Sequence, residues 1–210
     1  MYIHIMPILL PHKVDLKNII VEERKSSKSK IKYKAGDNKV EELRIQTPMM
    51  RIPWDTRPRV NQNGKVYSQN LCVSTYEMFD DKNKKRVRQF RSITEDIEKA
   101  FSMDSHDNLQ LSSVIYAKDP KYDPVINMSI PCKDAKPCVV VYDDTKEHNV
   151  LDFKEIHKGT ICSLVVHFSH FWSTDTKYGI NLIVDQIKVH KPALERVEFI
   201  EDTESGSESD

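Results

Sequence analysis

The sequence predicts a mainly β fold, a small antiparallel barrel with one or two packing helices. Val, Ile and Thr recur at short spacing in an alternating pattern, which is typical of half-buried strands. Pro, Asp, Asn and Gly separate these apolar runs, although only five glycines occur in the 210 residues. One segment has a clear helical period instead. A chain of this length buries roughly 70% of its unfolded surface on folding, which is enough for a substantial core.

The clearest element is a β-hairpin in the run KIKYKAGDNKVEELRIQT, which begins at Lys30. Ile31 and Tyr33 share one face of its first strand, and Leu43 and Ile45 share one face of its second strand. The AGDNK segment supplies the turn. The hairpin therefore has an apolar face for the core and a charged face for solvent.

Further strands are predicted at residues 66–75, 125–130, 138–142, 160–168 and 180–190. In the last of these the apolar phase changes after Val184 and resumes at Ile187, which a β-bulge near residues 185–186 explains. The segment 106–117 fits a helix or a strand equally well. Short strands and sharp turns indicate a barrel of the OB or Greek-key type, with a β-sandwich as the alternative.

One helix is predicted from the capping-box spacing of Ser92 and Glu95. The apolar residues that follow at helical spacing are Ile93, Ile97, Ala100 and Phe101. We expect this helix to begin near Ser92 and to pack one face on the sheet.

The charge of the chain is unevenly distributed. Lys+Arg and Asp+Glu both total 32, but residues 197–210 hold six acids and no base, which leaves a net charge of +6 on residues 1–196. We divide the chain into an N-terminal extension (1–27), an OB-like nucleic-acid-binding domain (28–192) and an acidic disordered tail (193–210). A cationic body with an anionic tail suggests a polyanionic partner, although such a tail can also serve solubility alone.

Several classes of protein are disfavoured. The apolar stretch 5–10 contains Pro7 and is far shorter than the roughly 20 residues of a membrane span, so no membrane partner is predicted. The four cysteines form no CxxC pair, which indicates reduced thiols and an intracellular protein. The sequence has no glycine-rich phosphate loop, HExxH or GxSxG motif, so we predict no catalytic residue, cofactor or metal. His167 and His170 are three apart in a predicted strand and should therefore face opposite sides.

Three basic clusters, each interleaved with aromatic residues, contain the candidate nucleic-acid contacts. A groove that binds a single strand of nucleic acid needs cations for the phosphates and flat aromatic rings for the unstacked bases. The candidates are Lys30, Lys32 and Lys34 in the hairpin, Arg44, Arg51, Trp54, Arg57 and Arg59 in the next segment, and Lys82, Lys84, Lys85, Arg86 and Arg88 in the third cluster. The alternative for the third cluster is a solvated hairpin tip.

The two tryptophans receive different predictions. Trp54 lies in the Pro- and Arg-rich run IPWDTRPR, where an indole has little regular packing to join, so we expect it to face a ligand. Trp172 follows an apolar strand, and we expect it to plug one end of the barrel. Lys177 and Tyr178 on the adjoining turn complete the candidate nucleic-acid contacts.

The segments RIQTPMMRIPW, VYSQNLCVS, FRSITEDIEKAF, KYDPVINMSIPC and HFWSTDTKYGINLIVDQIKVHK follow one another along residues 28–191. In this order they resemble the predicted single-stranded-DNA-binding proteins of large nucleocytoplasmic DNA viruses. The resemblance implies an OB-like fold that coats exposed DNA, much as phage proteins of the T7 type with acidic tails do. The signature positions that it carries over are Gln46, Pro48, Trp172, Lys177, Tyr178, Gly179 and Gln186. The chain departs from the pattern at residues 53–55 and 181–182.

These observations predict a non-enzymatic, sequence-independent single-stranded-DNA-binding protein of viral replication, recombination or repair. We expect it at the viral replication site in the host cell, either a cytoplasmic factory or the nucleus. The acidic tail would compete with DNA for the cationic face or recruit a viral polymerase or helicase, and a homo-oligomer is compatible with this role. The alternative is a virus-encoded protein-interaction module that acts in transcription or assembly. RNA binding is a third hypothesis, because stacking and phosphate contacts do not distinguish the two sugars.

Overall fold

The computed structural model describes residues 8–22, 28–36, 39–77, 79–102 and 109–190. Within these residues the strands are β1 (Ile19–Glu22), β2 (Lys28–Ala35), β3 (Lys39–Gln46), β4 (Met50–Arg51), β5 (Arg57–Val60), β6 (Val66–Ser74), β7 (Gln110–Leu111), β8 (Ile115–Tyr116), β9 (Val125–Lys133), β10 (Lys136–Pro137), β11 (Val140–Asp143), β12 (Ile161–Ser173) and β13 (Lys177–His190). The α-helix, α1, spans Asp81–Ser102. Short 3-10 turns occur at Pro11–Lys13, Leu16–Asn18 and Phe153–Glu155.

The long strands β12 and β13 form the centre of the sheet. From edge to edge the strand order is β1-β2-β3-β12-β13-β9-β6-β5, and the remaining short strands attach to this path. Most neighbours are antiparallel, whereas β13 runs parallel to β7, β9 and β11. The predicted mainly β class with a packing helix is confirmed. Among the described residues the edge strands β1 and β5 do not pair with each other, so the sheet is open rather than a closed barrel.

The predicted hairpin is formed by β2 and β3, with Lys32 opposite Glu42. Ile31, Leu43 and Ile45 are buried in the core, as the alternation predicts. The intervening positions point to the opposite side of the sheet. We call the side of the sheet that faces away from the core the outer face.

The predicted β-bulge in β13 is confirmed. Val165 of β12 pairs with Gln186 and the next residue, Val166, pairs with Val184, so Asp185 is the extra residue. A second irregularity lies between Phe168 and His170 in β12. Bulges of this kind change the direction of side chains and bend the strand.

Helix α1 begins at Asp81, eleven residues before the predicted start near Ser92. The carboxylate of Asp80 accepts a hydrogen bond of 2.7 Å from the backbone N–H of Asn83 and so caps the first turn. The third basic cluster therefore forms the first half of the helix and is not a hairpin tip. Val87, Phe90 and Ile97 are buried and pack the helix onto the core.

Residues within the predicted N-terminal extension also join the sheet. Strand β1 pairs with β2, and Leu9 forms a parallel bridge to Ile45. The boundary at residues 27 and 28 stays a prediction, and the acidic tail, 193–210, lies outside the described residues. In the part of the chain that the structure describes, α1 and the other helical segments are not apolar enough over a sufficient length to cross a bilayer.

Glu98 is a buried carboxylate that ties α1 to the segment before β8. It accepts hydrogen bonds of 2.7 Å from the backbone N–H of Val114 and from the hydroxyl of Ser113. Burial raises the pKa of Glu98 above its usual value, and these two hydrogen bonds only partly oppose the effect. The folded state therefore holds a proton on Glu98 more tightly than the unfolded state does.

This raised pKa makes the contribution of Glu98 to stability fall as pH rises from the unfolded-state value towards the folded-state value. In Glu98→Gln the amide can accept from Val114 and donate to Ser113, but it does not titrate. We expect the variant to lose this part of the pH dependence. The difference in free energy of unfolding, variant minus wild type, should therefore be larger at neutral pH than at acidic pH. Urea unfolding of both proteins at several pH values measures the difference. Parallel pH profiles would contradict the assignment.

Candidate nucleic-acid interface

The strand register aligns polar and basic side chains across the outer face. Arg44 of β3 lies opposite His167 of β12, which lies opposite Ile183 of β13. The same row continues through Ser129 of β9 to strands β6 and β5, where Asn70 pairs with Arg57. Residues from six strands, which are far apart in sequence, thus form one surface.

A groove crosses this surface, and we call it the Trp172 groove. It has a volume of about 550 Å³ and connects six strands, from β2 to β5. Its lining residues are Lys28, Arg59, Tyr67, Ser68, Ser129, Pro131, His170, Trp172, Ser173, Thr174, Asn181 and Ile183. A smaller hollow of about 270 Å³ continues it towards Ser112 and Ser113 and shares Arg59, Ser129, Trp172 and Asn181.

Trp172 is fixed against the sheet by its neighbour on β13. It lies opposite Gly179, and its indole N–H donates a hydrogen bond of 3.3 Å to the carbonyl oxygen of Ile180. A β-carbon on Gly179 would be 2.9 Å from Cζ2 of Trp172 and 2.7 Å from the carbonyl oxygen of Ser112. The absence of a side chain at Gly179 therefore leaves room for the indole close to the strand. Trp172 is on the outer face and does not plug a barrel end, contrary to our expectation.

The groove is cationic. Lys28 and Arg59 line it from opposite edges, and none of the described residues that line it is acidic. The guanidinium of Arg59 donates to the hydroxyl of Ser129 at 3.3 Å and to the side-chain oxygen of Asn70. Both partners are neutral, and among the described residues Arg59 forms no ion pair. These hydrogen bonds orient Arg59 without cancelling its charge, so it is available to an anion.

The centre of the outer face is electrostatically neutral by comparison, because Arg44 and Lys32 balance the carboxylates of Glu42 and Asp185. Arg44 bridges two carboxylates, with Nε 2.7 Å from Asp185 and Nη2 2.6 Å from Glu42. Burial lowers the pKa of Arg44, but its contacts with Asp185 and Glu42 outweigh this effect and raise it. Burial opposes ionisation of Glu42, yet His167, Arg44 and Lys32 together lower its pKa. The guanidinium of Arg44 is thus engaged in ion pairs with two acids of its own chain.

His167 lies beside this cluster, with Nε2 3.9 Å from the carboxylate of Glu42. Burial lowers the pKa of His167, with Glu42 opposing the shift. His167 and His170 both lie on the outer face because the irregularity between Phe168 and His170 changes the phase of β12. The prediction that they face opposite sides is therefore wrong. Among the described residues no group of three or more His, Cys, Asp and Glu side chains could hold a metal ion.

The predicted contacts are distributed over several parts of the molecule. The outer face carries Lys30, Lys32, Lys34, Arg44, Arg51, Arg57 and Arg59. Helix α1 carries Lys82, Lys84, Lys85, Arg86 and Arg88. Trp54 lies in the loop between β4 and β5, and Lys177 is exposed at the start of β13, outside the described lining of the groove. Tyr178 is 6% exposed on the core side of β13, so its ring is not available to a base, contrary to the prediction.

The helix residues do not join the Trp172 groove. Lys84 pairs with Asp81, and Arg88 pairs with Glu77. Lys82 and Arg86 line a separate depression with Gln46. Of the predicted contacts, only Arg59 is among the described residues that line the Trp172 groove, so the three basic clusters do not share one trough.

Comparison with known proteins gives one relative by sequence. No family model matches the chain. The chain is 25% identical over 169 residues to the uncharacterized protein L291 of Acanthamoeba polyphaga mimivirus, in an alignment that covers 77% of this chain. The chain spans about 28% of the length of that relative.

Among solved structures, the chain is similar to phage proteins at low sequence identity. One is the single-stranded DNA-binding protein from bacteriophage Enc34 in complex with ssDNA, with 13% identity, a TM-score of 0.47, and coverage of 83% of this chain and 96% of that chain. Another is gp2.5, a single-stranded DNA-binding protein encoded by bacteriophage T7, with 12% identity, a TM-score of 0.42, and coverage of 71% and 87%. Phage single-stranded DNA-binding proteins are thus structural neighbours of the chain.

Sequence reasoning missed several residues of the groove, namely Lys28, Tyr67, His170 and Asn181. Lys28 shares its parity with Lys30 and Lys32, so the alternation of the hairpin could have included it. The other three carry no local signal, because they become neighbours only through the pairing of β6, β12 and β13 with the rest of the sheet.

Proposed function

We propose that the chain is a non-enzymatic protein that binds single-stranded DNA across its outer face without reading the sequence. It would coat exposed strands during replication, recombination or repair of a viral genome inside the host cell, as the family resemblance implies. The observation that carries the proposal is the Trp172 groove, in which a fixed indole lies between Lys28 and Arg59 with no acid among the described lining residues.

Each part of this groove matches a part of a single strand. The cations neutralise backbone phosphates, and Trp172 and the 51% exposed Tyr67 offer rings for unstacked bases. A stacking platform accepts all four bases, because each has a π-face. Bases that are paired in a duplex cannot stack on Trp172, so the proposal includes a preference for single strands.

Salt dependence and a matched pair of variants test this function. The logarithm of the affinity for oligothymidylate should fall linearly with the logarithm of the salt concentration, by about 0.7 per neutralised phosphate. Arg59→Gln should weaken binding and reduce this slope by about 0.7. Arg91→Gln removes the same charge from helix α1, where Arg91 pairs with Glu95 at 2.8 Å, and should change neither quantity. Fluorescence anisotropy measures both.

Competition among poly-dT, the corresponding RNA and duplex DNA distinguishes the remaining alternatives. We expect poly-dT to compete best. Equal competition by RNA would indicate a general single-strand binder, because no group would then read the 2′-hydroxyl. A flat salt response with no competition by any nucleic acid would overturn the proposal in favour of a protein-interaction module.

The acidic tail supplies a further, separate expectation. The six acids of residues 197–210 balance the net charge of +6 on residues 1–196, and the covalent tether gives them a high effective concentration at the cationic groove. Deletion of residues 197–210 should tighten DNA binding, most visibly at low salt. A full-length variant with the six acids replaced by their amides should bind DNA as tightly as the truncated protein does. That result would attribute the effect to the charge of the tail. Unchanged affinity in both variants would leave solubility or recruitment of a polymerase or helicase as the role of the tail.

A further inference from the structure

A second depression lies on the outer face, on the other side of the neutral centre from the Trp172 groove. We call it the Tyr142 cleft; it has a volume of about 380 Å³ and is lined by Gln46, Tyr142, His148, Ser163, Leu164, Val165, Gln186 and Lys188. We propose that this cleft binds a nucleobase and an adjoining phosphate of the same single strand that occupies the Trp172 groove. The inference rests on the proposed function and extends it to a second subsite.

The strand register builds the floor of the cleft. Tyr142 of β11 lies opposite Lys188 of β13, which in turn lies opposite Ser163 of β12. The hydroxyl of Tyr142 donates a hydrogen bond of 2.8 Å to the side-chain oxygen of Gln186. Gln186 follows the bulge at Asp185, so the bulge directs Asp185 to Arg44 and brings Gln186 to Tyr142. The phase change in β13 therefore forms the cleft.

One carboxylate organises the loop that closes the cleft. Asp143 is buried and accepts hydrogen bonds from the backbone and side chains of Thr145 and Asn149. These hydrogen bonds lower the pKa of Asp143 to about 2, so it stays ionised and holds the loop at neutral pH. His148 has a φ of 49°, a left-handed conformation that is uncommon for a residue other than glycine. The loop thus fixes the exposed imidazole of His148 edge-on to Tyr142, with 5.6 Å between ring centroids.

The chemistry of the cleft suits a nucleotide. Tyr142 and His148 offer aromatic surface, and Gln46 and Gln186 offer amides that can bond to the edge of a base. Because the oxygen of Gln186 is held by Tyr142, its amide NH₂ remains to donate. Lys188 supplies a cation, and no acid is among the described residues that line the cleft. This combination of rings, amides and a cation matches a base with its phosphate.

The two sites are separated along one strand. Asn181 in the Trp172 groove and Lys188 in the Tyr142 cleft are seven residues apart in β13, and because Asp185 is a bulge residue this corresponds to ~20 Å at the usual rise of a strand. The neutral centre, in which Lys32 and Arg44 face Glu42 and Asp185, lies between them and offers a bound phosphate little net attraction. A single-stranded DNA must therefore span this neutral centre to use both sites. A short oligonucleotide can occupy only one of them.

This geometry predicts two stages in the dependence of affinity on strand length. We expect oligothymidylates of about 4 to about 16 nucleotides, the range of site sizes for one OB fold, to gain affinity again when they become long enough to reach the cleft. His148→Asn removes the imidazole while keeping a residue that tolerates positive φ. It should bind the shortest oligonucleotides like wild type and the longest at least about fivefold more weakly.

Lys188→Gln should also weaken only the long oligonucleotides and lower their salt slope by about 0.7. Lys146→Gln removes the same charge from the neighbouring loop, outside the described lining of the cleft, and should leave all affinities unchanged. Equal affinity of wild type and both cleft variants for every length would overturn the second subsite, as would an equal loss at all lengths. Failure of wild type to bind any of the oligonucleotides would instead overturn the proposed function, and the second subsite with it.

Discussion

Replacement of Trp172 by alanine is expected to weaken binding of oligothymidylate by about 1–3 kcal/mol, which is roughly 5- to 150-fold. The indole is the largest ring in the groove, and its hydrogen bond to Ile180 and its contact with Gly179 hold it in place before DNA binds. Little conformational entropy is then lost when a base stacks on it. Titration by fluorescence anisotropy at constant salt measures the loss.

Tyr122→Ala is the matched control for this prediction. Tyr122 is an aromatic residue with 62% exposure that is outside the described lining of the groove, so its removal should not change the affinity. Trp54→Ala tests the sequence-based assignment of the stacking residue. A larger loss for Trp54→Ala than for Trp172→Ala would contradict the location of the strand in the Trp172 groove.

Gly179→Ala is expected to destabilise the fold by about 1–3 kcal/mol and to weaken DNA binding in the same variant. The new methyl group would lie 2.7 Å from the carbonyl oxygen of Ser112 and 2.9 Å from the Trp172 ring. The backbone of Ser112 cannot easily retreat, because its N–H donates a hydrogen bond of 2.7 Å to the carbonyl oxygen of Tyr178. Either β7 and the residues that follow it shift, or the indole leaves its position. Urea unfolding and anisotropy measure the two effects.

Gly64→Ala separates a crowding effect from the general cost of replacing glycine. Gly64 has a φ of 73° in an exposed turn, and an added β-carbon there has no atom within 4 Å. This variant should lose about 1 kcal/mol through backbone strain and should bind DNA like wild type. Wild-type stability and affinity in Gly179→Ala would show that the indole does not depend on the missing side chain.

The sequence is sufficient to predict those elements whose structure depends on the local alternation of apolar and polar residues. The hairpin of β2 and β3 follows from the pattern of Ile31, Tyr33, Leu43 and Ile45, because a strand with one buried face must alternate. The bulge at Asp185 was also readable, since an extra residue inverts the apolar phase on either side of it. These features need no knowledge of the neighbouring strands.

The start of α1 at Asp81 is not evident from the local sequence pattern. Val87 and Phe90 continue the helical period towards the N-terminus, but the lysines and arginines around them hide it in a composition that also suits an exposed turn. The cap is the carboxylate of Asp80 rather than the hydroxyl of Ser92. A capping-box spacing inside a helix carries no information about its end, because the same residues can form pairs along the helix surface.

The mainly β class, the alternation of the hairpin and the positive net charge of residues 1–196 follow from the amino-acid sequence. Which of those charges remain available depends on strand pairing, since Arg44 forms an ion pair with Asp185, 141 residues away, while Arg59 has neutral partners. The tertiary structure also places Trp172 rather than Trp54 in the groove. The reason is that strand pairing joins residues that are distant along the chain, so the groove has no continuous segment of sequence in which it could be read.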